Sequence, residues 1–326
     1  MAGMRRRTAT PTAAVLASAA IVVAGVTGCT TGATQGDAGE ATRASSAPAS
    51  ATPATPAPTA TPAPTADASA ALGALETEFD ARVGVSALDT GSGTTLDYRA
   101  DERFGYASTI KVFAAAAFLQ QVPADQRDEV VTWTAADVSA AGYSPVTSQY
   151  VDQGMSLSSL AEAAVRQSDN TALNLVLDRI GGPAGLDEAL EQLGDSTTEV
   201  VNREPDLNTI EPGSTDDTTT PGAFTADLAA LASEENLAPV DRALLLDWAS
   251  GNATGDTLVR AGAPEGWTVV DKSGGAGGIR NDVAVVTPPG RDPIVLTVLT
   301  AKNDPDAAYD DALVARVAAA VLAELD

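Results

Sequence analysis

Residues 268–300 read TVVDKSGGAGGIRNDVAVVTPPGRDPIVLTVLT, in which three runs rich in Val, Ile, Leu and Thr are separated by breaks that contain Gly and Pro. These runs predict β-strands over 268–272, 282–287 and 293–300. The links between them are too short for a parallel crossover, which needs about a dozen residues or more, so consecutive strands must pair antiparallel. The C-terminal part of the chain is therefore expected to form an antiparallel sheet.

Two further strands are predicted far upstream, and helical patterns occupy the chain between the two groups of strands. Residues 82–88 alternate apolar and polar, DTGSG at 89–93 marks a turn, and a strand pattern resumes at 94–98, which together predict a hairpin. Helices are predicted over 108–120, 157–167, 170–180, 183–193, 224–250 and 306–325. The expected fold class is α/β (α+β): a five-stranded antiparallel sheet from the N- and C-terminal segments with flanking helices, plus an inserted all-α lobe.

The N-terminus has the pattern of an export signal followed by a tether. Three arginines at 5–7 precede an apolar run at 13–26, which is too short to span a bilayer and ends in VTGC at 26–29. This ending resembles the lipobox of bacterial lipoproteins, which implies removal of 1–28, a lipid anchor on Cys29 and a location on the outer face of the cell membrane. The alternative is an ordinary secretory signal, with Cys29 discarded or left as a free thiol.

The segment that follows the signal differs in composition from the rest of the chain. Residues 29–70 consist mainly of Ala, Thr, Pro, Ser and Gly. Such a segment buries too little apolar surface to offset its conformational entropy, so a disordered tether is predicted. The folded domain is then expected to span 71–326.

The composition removes several classes of function. The chain contains no His and a single Cys, so an imidazole base, a zinc site with His or Cys ligands and an intrachain disulfide are excluded, and no metal or cofactor is expected. A net charge of −25 argues against nucleic acid as a partner. Proton transfer near neutral pH falls to a carboxylate, to water or to one of the lysines at 111, 272 and 302.

The sequence STIK at 108–111 places a hydroxyl and an amine three residues apart at the predicted start of a helix. Residues with this spacing share a helix face, so Lys111 can reach Ser108. The helix start also supplies unpaired N–H groups near the hydroxyl. Because Arg cannot be deprotonated and this chain uses Arg almost everywhere else, a Lys here favours the role of a base.

Further motifs follow in a fixed order. SDN occupies 168–170, EPDLN occupies 204–208, and DKSG occupies 271–274. Asn174 lies four residues after the end of SDN, and DTTTP at 217–221 follows EPDLN. Together with STIK, this set resembles the serine penicillin-recognising enzymes and, through the ExxLN element of the Ω loop, the class A β-lactamases. The resemblance covers 71–326 and implies an active site between the sheet and the helical lobe.

The resemblance implies a division of labour for the hydrolysis of a β-lactam amide. Ser108 would attack the carbonyl, and its proton would leave through Lys111 or through a water held by Glu204. Ser168 would protonate the departing nitrogen, with Lys272 polarising its hydroxyl. Glu204 would then activate a water that breaks the ester, and the result is antibiotic resistance.

The resemblance also implies groups that bind the substrate around this centre. The backbone N–H groups of Ser108 and Gly275 would form the oxyanion hole. The groups expected to hold the substrate or the hydrolytic water are Asn170, Asn208, Tyr143, Ser273, Gly274 and Arg280. A small-molecule β-lactam is the expected substrate, and a monomer is the expected state.

Two departures from the family pattern bear on the site. The family usually has Arg two residues before the Ω-loop Glu, where it pairs with the Asp that ends the loop. Here that position is Asn202, Arg203 follows it, and Asp217 ends the loop. Either Arg203 takes over the pair or the loop is looser and disturbs the hydrolytic water. The segment GGAGG at 274–278 is one residue short, which leaves the register of Arg280 open.

The sequence leaves two other functions open. A cell-wall D-alanyl-D-alanine peptidase shares the Ser, Lys and KTG-like elements but lacks the Ω-loop carboxylate, so Glu204 would be coincidental. A noncatalytic anchored lipoprotein of the same fold is the second alternative, against which the complete set of catalytic side chains argues.

Overall fold

The computed structural model describes residues 64–304 and 306–326. The predicted signal, Cys29 and the tether as far as residue 63 lie outside the described residues. The strands are β1 (Ala81–Asp89), β2 (Thr95–Tyr98), β3 (Phe104–Gly105), β4 (Val130–Val131), β5 (Met155–Ser156), β6 (Thr218–Thr219), β7 (Thr268–Ala276), β8 (Ile279–Thr287) and β9 (Ile294–Lys302). The helices are α1 (Ser69–Phe79), α2 (Ile110–Gln121), α3 (Ala135–Ala141), α4 (Leu157–Arg166), α5 (Asn170–Arg179), α6 (Gly182–Leu193), α7 (Pro221–Ala232), α8 (Pro239–Ser250), α9 (Val259–Gly262) and α10 (Asp311–Glu324).

The predicted five-stranded antiparallel sheet is confirmed, with the strand order β2-β1-β9-β8-β7. The N-terminal hairpin joins the C-terminal strands where β1 pairs with β9 along its whole length, from Ala81 opposite Lys302 to Asp89 opposite Ile294. Two further pairs of two-residue strands, β3 with β6 and β4 with β5, lie outside this sheet.

Helices cover both faces of the sheet, so its central strands are apolar on both sides. In β8, Val283 and Val285 belong to the core shared with the helical lobe, whereas Ala284 and Val286 pack in the core formed with α1 and α10. This alternation is the two-residue period of a strand. It explains why the sequence shows an almost continuous apolar run there rather than a simple alternation.

Several element boundaries differ from those predicted. Helix α1 begins at Ser69, inside the segment expected to be tether, and the helix expected at 224–250 is two helices, α7 and α8. The last helix begins at Asp311 rather than at 306, because the side chain of Asp310 accepts the Ala312 N–H as an N-cap. In the described part of the chain, none of the helices is long and apolar enough to cross a membrane.

Helix α2 runs through the centre of the lobe and carries the STIK motif at its start. Ten of its twelve residues are buried, and four consecutive alanines at 114–117 let neighbouring helices approach closely. A single 3-10 turn, Ala107–Thr109, precedes α2 and contacts β7 and β8. The start of the helix is therefore held against the edge strand of the sheet.

Candidate active site

The backbone around Ser108 is held in an unusual conformation. Ala107 has a φ of 48°, in the left-handed region that residues with a Cβ seldom adopt. Strand β7 lies against this turn at Gly274, where an added Cβ would fall 3.1 Å from Ser108 N and 2.9 Å from Tyr106 O. The absence of a side chain at Gly274 therefore brings the backbone of β7 next to that of Ser108.

Lys111 lies one helical turn after Ser108, with its Nζ 2.8 Å from Ser108 Oγ. The amine is fully buried and donates to two oxygens that only accept, the Ser168 carbonyl at 2.8 Å and Asn170 Oδ1 at 2.6 Å. Glu204 Oε1 lies 2.9 Å from the same nitrogen. Burial lowers the pKa of Lys111, while the charge of Glu204 acts in the opposite direction.

Ser168 occupies the junction between α4 and α5, and its hydroxyl lies between two amines. Its φ of 54° is again left-handed, and the next residue, Asp169, caps α5 by accepting the Ala172 N–H. The Ser168 hydroxyl lies 3.2 Å from Lys272 Nζ and 3.4 Å from Lys111 Nζ. A proton donated by Ser168 can therefore be replaced from either amine.

Lys272 is buried in β7 and donates to the Ser273 carbonyl at 2.7 Å. Burial and the nearby charge of Lys111 lower the pKa of Lys272 to about 7, and the carboxylates of Asp271, Asp282 and Glu204 oppose this shift. Lys272 therefore changes its charge near neutral pH.

Glu204 reaches the same centre from the loop between α6 and α7. Its backbone is held on both sides by the Asn174 amide, which donates to the Glu204 carbonyl at 2.9 Å and accepts the Glu204 N–H at 3.1 Å. Asn208 Nδ2 donates to Oε2 at 2.6 Å, and Ser108 Oγ donates to Oε1 at 3.1 Å. The carboxylate, whose side chain is 0% exposed, is thus aimed at Ser108 and Lys111.

The proposal that Arg203 replaces the missing ion pair is wrong. Arg203 faces away from the loop base and pairs with Asp178 at 2.7 Å. Asn202 itself takes the place of the Arg, since its Nδ2 donates to Asp217 Oδ2 at 2.6 Å. The other oxygen of Asp217 accepts three further bonds, from Tyr106 Oη, Val201 N and Asn202 N. The base of the loop is therefore closed by neutral donors to a buried carboxylate.

A cleft of about 560 Å³ opens over Ser108, between β7 on one side and α5 with the Glu204 loop on the other. The residues proposed from the sequence that line it are Ser108, Tyr143, Ser168, Asn170, Glu204, Asn208, Ser273, Gly275 and Arg280. Lys111, Lys272 and Gly274 lie buried outside this lining. The structure therefore brings together the groups that the motifs scatter over more than 160 positions of sequence.

The chain is similar in sequence and in fold to known proteins. A family model described as the beta-lactamase enzyme family matches residues 67–325. The beta-lactamase of Bacillus amyloliquefaciens is 50% identical over 252 residues, which cover 77% of this chain and 82% of that protein. The class A beta-lactamase from Clostridium kluyveri superposes with a TM-score of 0.76 at 43% identity, covering 78% of this chain and 97% of the other. The beta-lactamase from Streptomyces albus G superposes with a TM-score of 0.76 at 44% identity, covering 79% of this chain and 98% of the other.

The chain belongs to the class A serine β-lactamase family. It is a serine β-lactamase, a hydrolase of β-lactams.

In this class A β-lactamase the short glycine-rich segment is a tight hairpin that fixes the register of Arg280. Ala276 pairs with Ile279 across the two-residue turn Gly277–Gly278, so Gly275 stands opposite Arg280. Arg280 Nε donates to Asp311 Oδ1 at 2.7 Å, and its guanidinium lies inside the cleft. Asp311 therefore orients Arg280 through Nε, and the terminal N–H groups of the guanidinium can still donate to a bound substrate.

The β-lactamase cleft also contains residues that the sequence motifs did not indicate. The Thr254 hydroxyl lies 2.6 Å from Ser273 Oγ, and Tyr309 lies beside Arg280. Thr254 is in a polar loop after α8, and Tyr309 precedes α10. The one local sequence signal near them is the pair of aspartates at 310 and 311, which marks the start of α10 just after Tyr309. The contacts of Thr254 and Tyr309 with the cleft depend on how distant segments pack.

Proposed function

We propose that the chain hydrolyses the β-lactam amide of penicillin-type antibiotics through an acyl-enzyme on Ser108, which a water activated by Glu204 deacylates, and that it thereby confers resistance. The observation that carries the proposal is the buried carboxylate of Glu204, which lies 3.1 Å from Ser108 Oγ and 2.9 Å from Lys111 Nζ. A base at this place can act on a water that attacks the acylated serine.

Acylation needs a proton acceptor, a proton donor and a site for the oxyanion. Ser108 Oγ forms a bond to the lactam carbonyl carbon and loses its proton, and the backbone N–H groups of Ser108 and Gly275 stabilise the negative oxygen. The C–N bond then breaks, and the nitrogen takes the proton of the Ser168 hydroxyl. Lys272, 3.2 Å from that hydroxyl, supports this transfer.

The first proton transfer has two acceptors within reach of Ser108. Lys111 has two N–H groups directed at fixed oxygen acceptors, so in its neutral form the lone pair is available to Ser108 Oγ. Burial favours this neutral form by lowering the pKa of Lys111. Glu204 is the second acceptor, directly or through a water. The acylation rate of a Glu204 variant separates the two.

Deacylation uses Glu204 as the base. A water loses a proton to the carboxylate while its oxygen bonds to the acyl carbon. The ester C–O bond breaks, and the proton that Glu204 took from the water passes to Ser108 Oγ, which restores the carboxylate and the free serine. Asn208, which donates to Oε2 at 2.6 Å, keeps the carboxylate in position for the water.

The test is an intact-mass time course after mixing the domain with benzylpenicillin. We expect turnover by the unaltered domain, no adduct on Ser108→Ala, and a long-lived adduct of one penicillin on Glu204→Ala. Glu211→Ala is the matched control, because Glu211 is an exposed glutamate of the same loop. Fast adduct formation on Glu204→Ala would assign the first proton transfer to Lys111. A stoichiometric adduct without turnover on the unaltered domain would contradict the proposal and favour the peptidase.

We also propose that Cys29 carries a lipid anchor that holds the enzyme on the outer face of the cell membrane. The support is the VTGC sequence at 26–29, which contains the single Cys of the chain. Metabolic labelling with an alkyne-bearing palmitate should mark the full chain and fail to mark Cys29→Ser. Label on the variant would contradict the proposal.

The described site is formed within one chain, so we propose a monomer, which sedimentation velocity can test.

A further inference from the structure

Two exposed tyrosines line the cleft, and the sequence motifs indicated only Tyr143. Tyr143, 58% exposed, lies beside Asn170, whose N–H donates to the Tyr143 carbonyl at 2.8 Å. Tyr309, 41% exposed, lies on the opposite wall beside Arg280 and Gly275. An exposed aromatic ring at the rim of a substrate cleft offers a flat surface for stacking.

The position of the Tyr309 ring is fixed by contacts. The Tyr309 N–H donates to the Gly277 carbonyl at 3.2 Å, which ties this segment to the β7–β8 turn. The ring lies 4.9 Å from the Arg280 guanidinium carbon, and an added Cβ on Gly275 would be 3.3 Å from Tyr309 Cε1. Asp311 holds the same guanidinium at 2.7 Å. The Tyr309 ring therefore forms part of the cleft wall next to Arg280.

The chemical structure of a cephalosporin indicates which of its substituents lies beside Tyr309. A β-lactam antibiotic carries its carboxylate on the ring carbon bonded to the lactam nitrogen, and in a cephalosporin the adjacent carbon, C3, carries the second variable group. The acylamino side chain projects from the other side of the lactam ring. The resemblance to the class A enzymes implies that Ser273 and Arg280 bind this carboxylate and that Asn170 binds the amide of the acylamino side chain. In this orientation the C3 group lies on the side of Arg280 and the acylamino group on the side of Asn170.

We infer that Tyr309 is a specificity-determining residue that stacks on the C3 substituent of cephalosporins and favours flat aromatic groups there. This inference rests on the proposed function, because it takes the orientation of the substrate from the carboxylate site. It assigns the two tyrosines to different parts of the substrate, with Tyr309 beside the C3 group and Tyr143 beside the acylamino group.

The test compares two cephalosporins with the same thienylacetamido side chain, nitrocefin with a dinitrostyryl group at C3 and cephalothin with an acetoxymethyl group. Aromatic stacking contributes roughly 0.5–1.5 kcal/mol, so Tyr309→Ala should lower kcat/KM for nitrocefin about 2- to 10-fold more than for cephalothin. Tyr309→Phe keeps the ring and should preserve the ratio. Tyr150→Ala is the matched control, because Tyr150 is 42% exposed and is not among the residues that line the cleft.

The outcomes distinguish a failure of the inference about Tyr309 from a failure of the proposed function. An equal loss for both substrates in Tyr309→Ala would show a structural role through Arg280 and overturn the inference. An unchanged ratio with unchanged rates would overturn it as well. Absence of turnover of both cephalosporins and of benzylpenicillin by the unaltered enzyme would instead contradict the proposed function.

Discussion

The closure of the Glu204 loop by Asn202 gives a sharp prediction, because the side chain that holds Asp217 is neutral. Asp217 is completely buried, and among the described residues Asn202 Nδ2 is the sole donor to its Oδ2. Asn202→Ala removes that donor and leaves a buried carboxylate oxygen without a partner. Glu204 lies two residues further along the same loop, so the change should affect both stability and deacylation.

The magnitude follows from the kind of hydrogen bond that is lost. A hydrogen bond to a charged group contributes about 1.5–3 kcal/mol, so we expect the free energy of unfolding to fall by that amount in Asn202→Ala. At about 2–4 °C per kcal/mol for a domain of this size, Tm should fall by roughly 3–12 °C. A carboxylate misplaced by about 1 Å costs about 100-fold, so the deacylation rate should fall about 10- to 100-fold.

Arg203→Ala is the control, since it changes the neighbouring residue in the same loop. Arg203 pairs with Asp178 where the two side chains are 39% and 60% exposed, and such surface pairs contribute about 0–1 kcal/mol. Urea unfolding followed by circular dichroism measures stability, and the decay of the penicillin adduct measures deacylation. Equal losses in the two variants, or a stable and fast Asn202→Ala enzyme, would refute the assignment of Asn202 as the residue that closes the loop.

Two further predictions concern buried ionisable groups. Burial and Lys111 lower the pKa of Lys272 to about 7, so kcat/KM should fall as pH rises through neutrality and Lys272 loses its charge. Lys272→Arg does not titrate in this range, so the fall in kcat/KM should move to higher pH. A fall at the same pH in both enzymes would contradict the assignment of this titration to Lys272. Burial and the neighbouring Asp195 raise the pKa of Asp227 from 3.8 to about 9, so its proton stabilises the native state at low pH and that stability is lost as pH rises towards 9. Asp227→Asn has no such proton to release, so its stability relative to the unaltered enzyme should be higher at pH 8 than at pH 5 in urea unfolding, and an equal difference at both pH values would count against this interpretation.

Much of the fold could be predicted from the sequence because the signals are local. The C-terminal strands, the hairpin at 82–98 and the helices at 157–167 and 170–180 each have a period or a cap that a short window contains. Apart from the start of α10, which a local N-cap sets, what the sequence did not predict depends on tertiary contacts. Helix α1 is held by the packing of Leu72 and Leu75 in the core with α10, and no strong local signal precedes it. The strand pair β3 and β6 joins residues more than 100 positions apart.

The amino-acid composition fixes which chemical groups are available, because the absence of His and the scarcity of Lys leave few bases. The motif spacing predicts that Ser108 and Lys111 lie on one helical turn. Contacts between distant segments, by contrast, establish which donors bind Asp217, that Asp311 orients Arg280, and that Thr254 and Tyr309 complete the cleft. The two kinds of interaction act over different distances along the chain. Helical spacing and capping act over a few residues, whereas the partner of a buried charge is set by which distant segments packing brings within about 3 Å of it.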